Sequence, residues 1–184
     1  KTDLSVNIEK KAYQCHKSKC DFQGYLKDDN PRPIQWQKKD YFKPVFENNG
    51  LDERAETFFK QRCINLEIVA RHQITVERGA LAFPYVHEGE VVMVKYRGAN
   101  KKFWSTKNSK KVFYNAHKIN KDTQTIAICE GEMDCLALES VGVASCSVPN
   151  GAPAVNATSF SDIDESFRNS GDIFDGIKKI ILAT

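Results

Sequence analysis

The sequence predicts a mixed α+β fold that ends in a parallel α/β sheet. Three features support this prediction: an alternating strand near the N-terminus, a run of antiparallel strands in the middle, and apolar strands separated by helices near the end. With 184 residues, 41% hydrophobic and 28% charged, the chain has the composition of a folded protein with its own core. No apolar run approaches the roughly 18 residues of a membrane span, so we expect no membrane partner.

Residues 1–28 are predicted to form a partial zinc-binding ribbon. Residues 3–9 alternate between polar and apolar side chains, which is typical of a strand, and a turn then leads to Cys15 and Cys20. A hairpin that ends in a cysteine pair is how zinc ribbons are built, but zinc takes four ligands, usually as two close pairs. Only one such pair is found, so two unrelated free thiols remain the alternative.

Residues 29–39 are predicted to be a linker, and we place a domain boundary there. Pro31 and Pro33 lie among charged and polar residues. Each residue that precedes a proline is forced towards an extended backbone, which is typical of a connecting segment.

Residues 40–121 are predicted to form a second, basic subdomain that begins with two helices. From Leu51 to Arg62, apolar side chains recur at three- and four-residue spacing, which indicates an amphipathic helix. Asn65 is a good N-cap for a second helix over residues 66–72.

An antiparallel meander is predicted to follow these helices. Its strands span residues 80–86 and 91–97, and a third strand begins at residues 101–104. We expect its four bases to lie close together, with the first two as exposed charges on one strand face: Lys95, Arg97, Lys101 and Lys102. Tyr96, Phe103 and Trp104 interleave with them, a mixture that suits the binding of backbone phosphates and bases. The alternative is that the rings are core and the lysines merely solvated.

The charges of the chain are segregated. Residues 91–121 contain nine Lys or Arg and no acidic residue, whereas residues 122–176 contain ten Asp or Glu and one base, Arg168. Such blocks indicate one surface suited to phosphates and another suited to cations. Two solvated faces with a chance bias are the alternative.

Residues 122–184 are predicted to form the parallel sheet. Apolar strands are expected over residues 125–129, 143–148 and 177–183, with helices over residues 135–140 and 161–169. Continuous apolar strands that alternate with helices are typical of a parallel sheet covered by helices.

Three acidic residues follow the first of these strands. Glu130 lies where the strand ends and a helix begins, which is where open α/β sheets place their ligands. Asp134 lies one helical turn further on, and Glu132 lies between them. Crowded carboxylates are unfavourable without a cation, and their hard oxygens favour Mg²⁺ or Mn²⁺. An ordinary acidic helix N-terminus is the alternative.

The segment from Ile126 to Asp134, the strand over residues 143–148 and the stretch from Pro149 to Pro153 resemble the TOPRIM domain of DnaG-type primases, topoisomerases and related nucleases. Together with the cysteine pair, the proline-rich linker and the basic strands, the chain resembles the primase half of the bifunctional primase-helicases of certain phages and of the organellar Twinkle proteins.

This resemblance implies roles for the candidate residues. Glu130 and Asp134 match the catalytic, metal-binding acidic pair, and Glu132 is a lesser candidate for the same Mg²⁺ or Mn²⁺. The basic positions that hold nucleotide phosphates or template are matched by Lys95, Arg97, Lys101 and Lys102. Cys15 and Cys20 match half of the Zn²⁺ site.

The resemblance also implies an activity. We expect a DNA primase, a nucleotidyltransferase that makes RNA primers on single-stranded DNA from ribonucleoside triphosphates, within a longer chain whose helicase domain lies C-terminal. The chain then corresponds to a fragment with a truncated TOPRIM subdomain and an incomplete zinc site. Its location is the host cytoplasm for a phage protein, or the mitochondrion or plastid for an organellar one. An inactive TOPRIM module that binds single-stranded DNA, or a TOPRIM nuclease or topoisomerase fragment, is the alternative.

Overall fold

A computed structural model describes residues 4–7, 12–15, 23–25, 40–151 and 161–183. The chain forms two compact units, residues 1–39 and residues 40–184. In the first unit, strands β1 (Leu4–Asn7), β2 (Ala12–Cys15) and β3 (Gln23–Tyr25) form an antiparallel sheet in that order. The expected N-terminal hairpin is confirmed, with Leu4 paired to Cys15. Cys20 lies outside the described residues, so the zinc site stays a prediction.

The second unit begins with the two expected helices, α1 (Glu53–Lys60) and α2 (Leu66–Arg71). The first is shorter than predicted because Asp52 caps it: its carboxylate accepts a hydrogen bond of 2.7 Å from the Ala55 amide. The predicted cap of the second helix is confirmed, since the Asn65 side chain accepts from the Glu67 amide at 2.8 Å.

The antiparallel meander is confirmed as a four-stranded sheet. Its order is β4 (Thr75–Glu77), β5 (Ala80–His87), β6 (Glu90–Arg97) and β7 (Phe103–Ser105). The turn between β5 and β6 is Glu88-Gly89, both with positive φ, which matches the twist of a hairpin. The prediction that the last strand begins at Lys101 is wrong. Asn100 and Lys101 have φ of 57° in a short 3-10 turn, a conformation that cannot join the sheet.

The parallel sheet is also confirmed, in the order β10-β8-β9. Its strands are β8 (Thr125–Cys129), β9 (Ser145–Ser147) and β10 (Lys179–Ala183). Helix α3 (Glu132–Ser140) connects β8 to β9, and α4 (Ser161–Ser170) precedes β10. Because the strands are parallel, their carboxyl ends meet at one edge, where Cys129 is level with Ser147 and Ala183.

One hydrophobic cluster joins the two sheets of the second unit. Phe59 of α1, Tyr85 of β5 and Leu136 of α3 pack in it with Tyr114, and all four side chains are fully buried. Backbone hydrogen bonds in both directions between Tyr114 and Ser147 add a bridge to β9. The basic strands and the acidic sheet edge therefore have a fixed relative position. No helix in the described part of the chain is long and apolar enough to cross a membrane.

Candidate functional site

Glu130 and Asp134 lie at the carboxyl edge of the parallel sheet, and both are exposed. Glu130 directly follows β8, and Asp134 is in the first turn of α3. A β-carbon built on Gly131 would lie 3.4 Å from Asp134 Oδ2, so this carboxylate folds back towards the loop that carries Glu130. A β-carbon on Gly151 would lie 3.8 Å from the Glu130 carbonyl oxygen, which places the loop after β9 against the same edge.

Glu132 points away from this edge and into the protein. Its Oε1 accepts hydrogen bonds from the Tyr85 hydroxyl and from Lys95, whose Nζ is 2.8 Å away. The Glu132 side chain is only 5% exposed. Burial and the Glu132 carboxylate raise the pKa of Tyr85 well above its ordinary value, so this phenol stays a donor. Glu132 thus has a basic partner from another strand, and its place as a metal ligand stays a prediction.

Lys95 does not lie on the surface, and the expectation that it is an exposed strand charge is wrong. Its side chain is 12% exposed because β6 packs beside the N-terminus of α3. Besides the contact with Glu132, its Nζ donates to the Pro149 carbonyl oxygen at 2.7 Å. The lysine therefore connects the antiparallel sheet to the loop beside Glu130.

Arg97 lines a cavity of about 370 Å³ between α1 and the antiparallel sheet. Four basic residues line it: Arg54, Arg62, Arg97 and Lys101. Lys102 is exposed and lies outside its lining, so the four predicted bases do not form a single cluster. The two arginines of the α1 region were not among the bases predicted from the sequence. Arg54, Phe58 and Arg62 recur every four residues, which would have placed them on one helix face.

Two of these guanidinium groups lie over one aromatic ring. The Cζ of Arg62 is 3.7 Å from the centroid of the Phe58 ring, and the Cζ of Arg97 is 5.2 Å from it. Burial lowers the pKa of Arg97, and the positive charge of Arg62 lowers it further. None of the ion pairs among the described residues includes either arginine. Asp52 also lines the cavity, and the Glu132 charge partly offsets that of Arg97, so the cavity offers an anion two guanidinium groups that have no direct ion-pair partner.

The three aromatic residues predicted to interleave with the bases divide between the two faces of the sheet. Phe103 is 47% exposed and lies on the basic face, with its centroid 5.5 Å from Lys95 Nζ and 5.3 Å from Arg97 Cζ. Tyr96 and Trp104 stack on the opposite face, with centroids 5.4 Å apart. Trp104 also packs closely on Gly98, because a β-carbon at that glycine would lie 2.9 Å from the Trp104 ring. Only Phe103 therefore joins the bases in the way the sequence analysis expected.

No group of three or more His, Cys, Asp or Glu side chains able to hold a metal ion occurs in the described ranges. Glu130 and Asp134 supply two exposed carboxylates at the carboxyl edge of the parallel sheet, and the metal site itself stays a prediction. Two such carboxylates fit Mg²⁺, which proteins commonly bind through one or two carboxylates together with waters and substrate phosphates.

Comparison with known proteins gives two curated relatives from Arabidopsis thaliana. The chain is 28% identical over 188 residues to a Twinkle homolog protein, chloroplastic/mitochondrial, and the match covers 94% of the chain. It is 31% identical over 183 residues to a primase homolog protein, with 90% of the chain covered. The matches span 26% and 53% of the relatives' own lengths. No protein-family model matches the chain.

Two solved structures from bacteriophage T7 share the fold. The primase fragment of the T7 primase-helicase protein superposes with a TM-score of 0.52 and 23% identity, covering 67% of this chain and 52% of that one. A second structure contains the T7 lagging-strand DNA polymerase with primase domains bound to an RNA/DNA hybrid and dTTP. It gives a TM-score of 0.54 and 18% identity, and the match covers 98% of this chain and 72% of that one. The mixed α+β fold thus resembles that of the T7 primase. The family resemblance seen in the sequence is confirmed: over about nine-tenths of its length, this chain is similar to primases of the Twinkle type.

Proposed function

We propose that this chain is the primer-synthesising part of a DNA primase, which joins ribonucleoside triphosphates on a single-stranded DNA template. The observation that carries the proposal is the position of Lys95. It shares one face of β6 with Arg97, and its Nζ contacts both Glu132 and the Pro149 loop beside Glu130. The partly buried Lys95 thus contacts the first turn of α3 and the loop beside Glu130, and it lies on the same strand face as Arg97 of the basic cavity.

The basic cavity suits the triphosphate of a nucleotide or the backbone of the template. Arg62 and Arg97 present guanidinium groups, which hydrogen-bond phosphate oxygens in pairs and remain charged. Held in place before the anion arrives, they would stabilise the charge that develops on the phosphates during nucleotidyl transfer. Lys101 lines the same cavity and adds a further positive charge.

Glu130 and Asp134 would hold Mg²⁺ or Mn²⁺ at the edge of the sheet. When bound, such an ion supplies positive charge for the phosphates and favours ionisation of the attacking hydroxyl group. The geometry of this chain contributes the placement: the two carboxylates are exposed at the carboxyl edge of the strands, as in other α/β ligand sites. This placement agrees with the TOPRIM resemblance of the segment.

Other parts of the proposal follow from the resemblance. The helicase domain would lie C-terminal to this chain in the full-length protein, and Cys15 and Cys20 would supply half of a Zn²⁺ site that contacts the template. The organellar name of one relative supports a mitochondrial or plastid location, and a phage protein would act in the host cytoplasm. The nuclease, topoisomerase and inactive-module alternatives gain no support from the relatives.

The test is primer synthesis by the full-length protein. Labelled ribonucleotides, a single-stranded DNA template and Mg²⁺ are supplied, and both incorporation and template cleavage are followed. Glu130→Gln is expected to abolish incorporation while template binding stays near that of the parent protein. Asp122→Asn, an exposed acid away from the sheet edge, is the matched control. Robust incorporation by Glu130→Gln, or template cleavage without incorporation, would refute the proposal.

A further inference from the structure

The ring of Phe58 forms part of the wall of the basic cavity and contacts two of its arginines, Arg62 and Arg97. Arg62 lies 3.7 Å and Arg97 5.2 Å from the ring centroid. The two residues come from different elements: Arg62 follows α1, and Arg97 ends β6. The ring is therefore a common contact for two charges that the chain brings together from distant positions.

A contact of this kind offsets the cost of holding two guanidinium groups close together. Like charges repel: burial is the main cause that lowers the pKa of Arg97, the Arg62 charge lowers it further, and the Glu132 charge opposes both. Both side chains are long and lose considerable rotamer freedom when an anion fixes them. A cation over the face of an aromatic ring is attracted by the ring quadrupole, so the ring opposes both effects.

The ring itself is held by the core. Phe58 packs edge-on against Phe59, with centroids 5.5 Å apart and planes at 82°, and Phe59 is fully buried. A second contact also holds Arg62: its Nη1 donates a hydrogen bond to the Phe58 carbonyl oxygen at 3.2 Å. The site is therefore arranged before any ligand enters it, which reduces the entropy cost of binding.

We propose that Phe58 is a positioning residue that holds Arg62 and Arg97 as one two-pronged clamp for a phosphate group. The inference rests on the proposed function, since it concerns the site that would take the nucleotide or the template. The ligand chemistry is a phosphate oxyanion, which either a triphosphate or a nucleic-acid backbone supplies.

The experiment compares Phe58→Leu, which keeps an apolar side chain but loses the ring face, with Phe58→Tyr, which keeps it. Binding of two probes to the full chain is measured: inorganic tripolyphosphate and a single-stranded oligothymidylate. For at least one probe, Phe58→Leu is expected to weaken binding about fivefold to tenfold. The affinity of Phe58→Tyr for the same probe is expected to stay within about twofold of the parent affinity. A loss confined to tripolyphosphate assigns the clamp to the triphosphate, and a loss confined to the oligonucleotide assigns it to the template.

A double-mutant cycle separates positioning from simple packing. In the parent chain, the effects of Arg62→Ala and Arg97→Ala on binding are expected to be non-additive, because one anion bridges both groups. In the Phe58→Leu background, the two effects are expected to become additive. Thermal melting identifies a temperature at which each variant is folded, and binding is measured at that temperature. If Phe58→Leu does not fold, Phe58→Met takes its place.

The outcomes distinguish the two proposals. Failure of the parent chain to bind either probe would refute the proposed function and this inference with it. Normal binding by the parent, with losses for Arg62→Ala and Arg97→Ala but none for Phe58→Leu, would overturn only the role of Phe58. Equal losses for Phe58→Leu and Phe58→Tyr, or coupling that persists in the Phe58→Leu background, would do the same.

Discussion

The Nζ of Lys95 lies 2.8 Å from Oε1 of Glu132, and this ion pair joins the antiparallel sheet to the first turn of α3. Each residue gives the other a compensating charge. Both charges need one, because the Lys95 side chain is only 12% exposed and the Glu132 side chain only 5%. Both residues border the proposed catalytic edge, so the pair sets the distance between the basic and the acidic parts of the site.

Loss of one partner of this pair should destabilise the fold. In Lys95→Met, the Glu132 charge stays buried with only the Tyr85 hydroxyl as a donor, and removal of one member of a buried pair costs about 3–5 kcal/mol. The double variant Lys95→Met with Glu132→Gln should recover much of this loss. Urea unfolding of the parent and the variants measures the free energies of unfolding. A Lys95→Met variant as stable as the parent would show that the pair contributes nothing.

Glu130→Gln is expected to leave the stability of the metal-free protein unchanged or slightly higher. Glu130 is exposed, and Asp134, a like charge, lies four residues further on, so we expect the substitution to relieve repulsion rather than to remove a favourable contact. A carboxylate that served only the helix N-terminus would instead cost about 0.5–1 kcal/mol when neutralised. Melting temperatures in EDTA decide between the two, and a clear drop would favour the helix-terminus role.

Arg62→Ala and Arg97→Ala should each lower the salt dependence of single-stranded DNA binding. Each phosphate contact that is lost reduces the slope of log affinity against log salt by roughly 0.7, the value typical of single strands. Lys60→Ala is the matched control, because Lys60 is paired with Glu56 on the same helix and does not line the cavity. Fluorescence titrations from low to high salt provide the measurement. Slopes equal to that of the parent would exclude the two arginines from phosphate contact.

The stability of the second unit should fall as the pH drops below about 6.5, which is the ordinary pKa of a histidine side chain. His72 is buried, accepts from the Tyr114 hydroxyl and donates through Nε2 to Glu139. Burial lowers its pKa, and the bond to Glu139 offsets this only in part. Because the unfolded chain takes up a proton that the folded chain does not, the slope reaches at most about 1.4 kcal/mol per pH unit per group.

His72→Gln tests this assignment, since glutamine forms hydrogen bonds but does not titrate. Unfolding free energies between pH 7.5 and pH 5 should depend less on pH in the variant than in the parent. A residual dependence of the same sign is expected from His117, whose pKa burial lowers to about 4. An identical pH dependence in parent and variant would remove His72 as its source.

The full-length protein is expected to bind about one zinc ion per chain through Cys15, Cys20 and two further cysteines. Cys15→Ser should release the metal, whereas Cys63→Ser, at an exposed free thiol, should not. Metal analysis after gel filtration measures the zinc content. Unchanged zinc in the Cys15→Ser protein would contradict the ribbon assignment.

Local patterns were sufficient to predict most of the helices and strands of this fold, because periodicity, caps and turn residues act within a few positions along the chain. The Asn65 cap and the parallel strands β8 and β10 are examples. The three-residue strand β4 was missed because it is too short to show a period. Positive φ at Lys101 was missed for a similar reason, since nothing in its neighbours requires it.

The site was less accessible to such reasoning, because its contacts join residues far apart in the sequence. The spacing of Glu130 and Asp134 depends only on one strand end and one helix turn. The burial of Lys95 depends on α3 and on the Pro149 loop, neither of which its own strand specifies. The approach of Arg62 to Arg97 likewise depends on how α1 packs on the sheet.

Trp104 packs closely on Gly98 at the end of β6. A β-carbon at position 98 would lie 2.9 Å from the indole, so the indole, which stacks on Tyr96, would have to shift. Phe103 precedes that tryptophan and faces the other way, against Lys95 and Arg97. The absence of a side chain at Gly98 thus leaves room for Trp104 on one face of the sheet, while the neighbouring Phe103 contacts the bases on the other face.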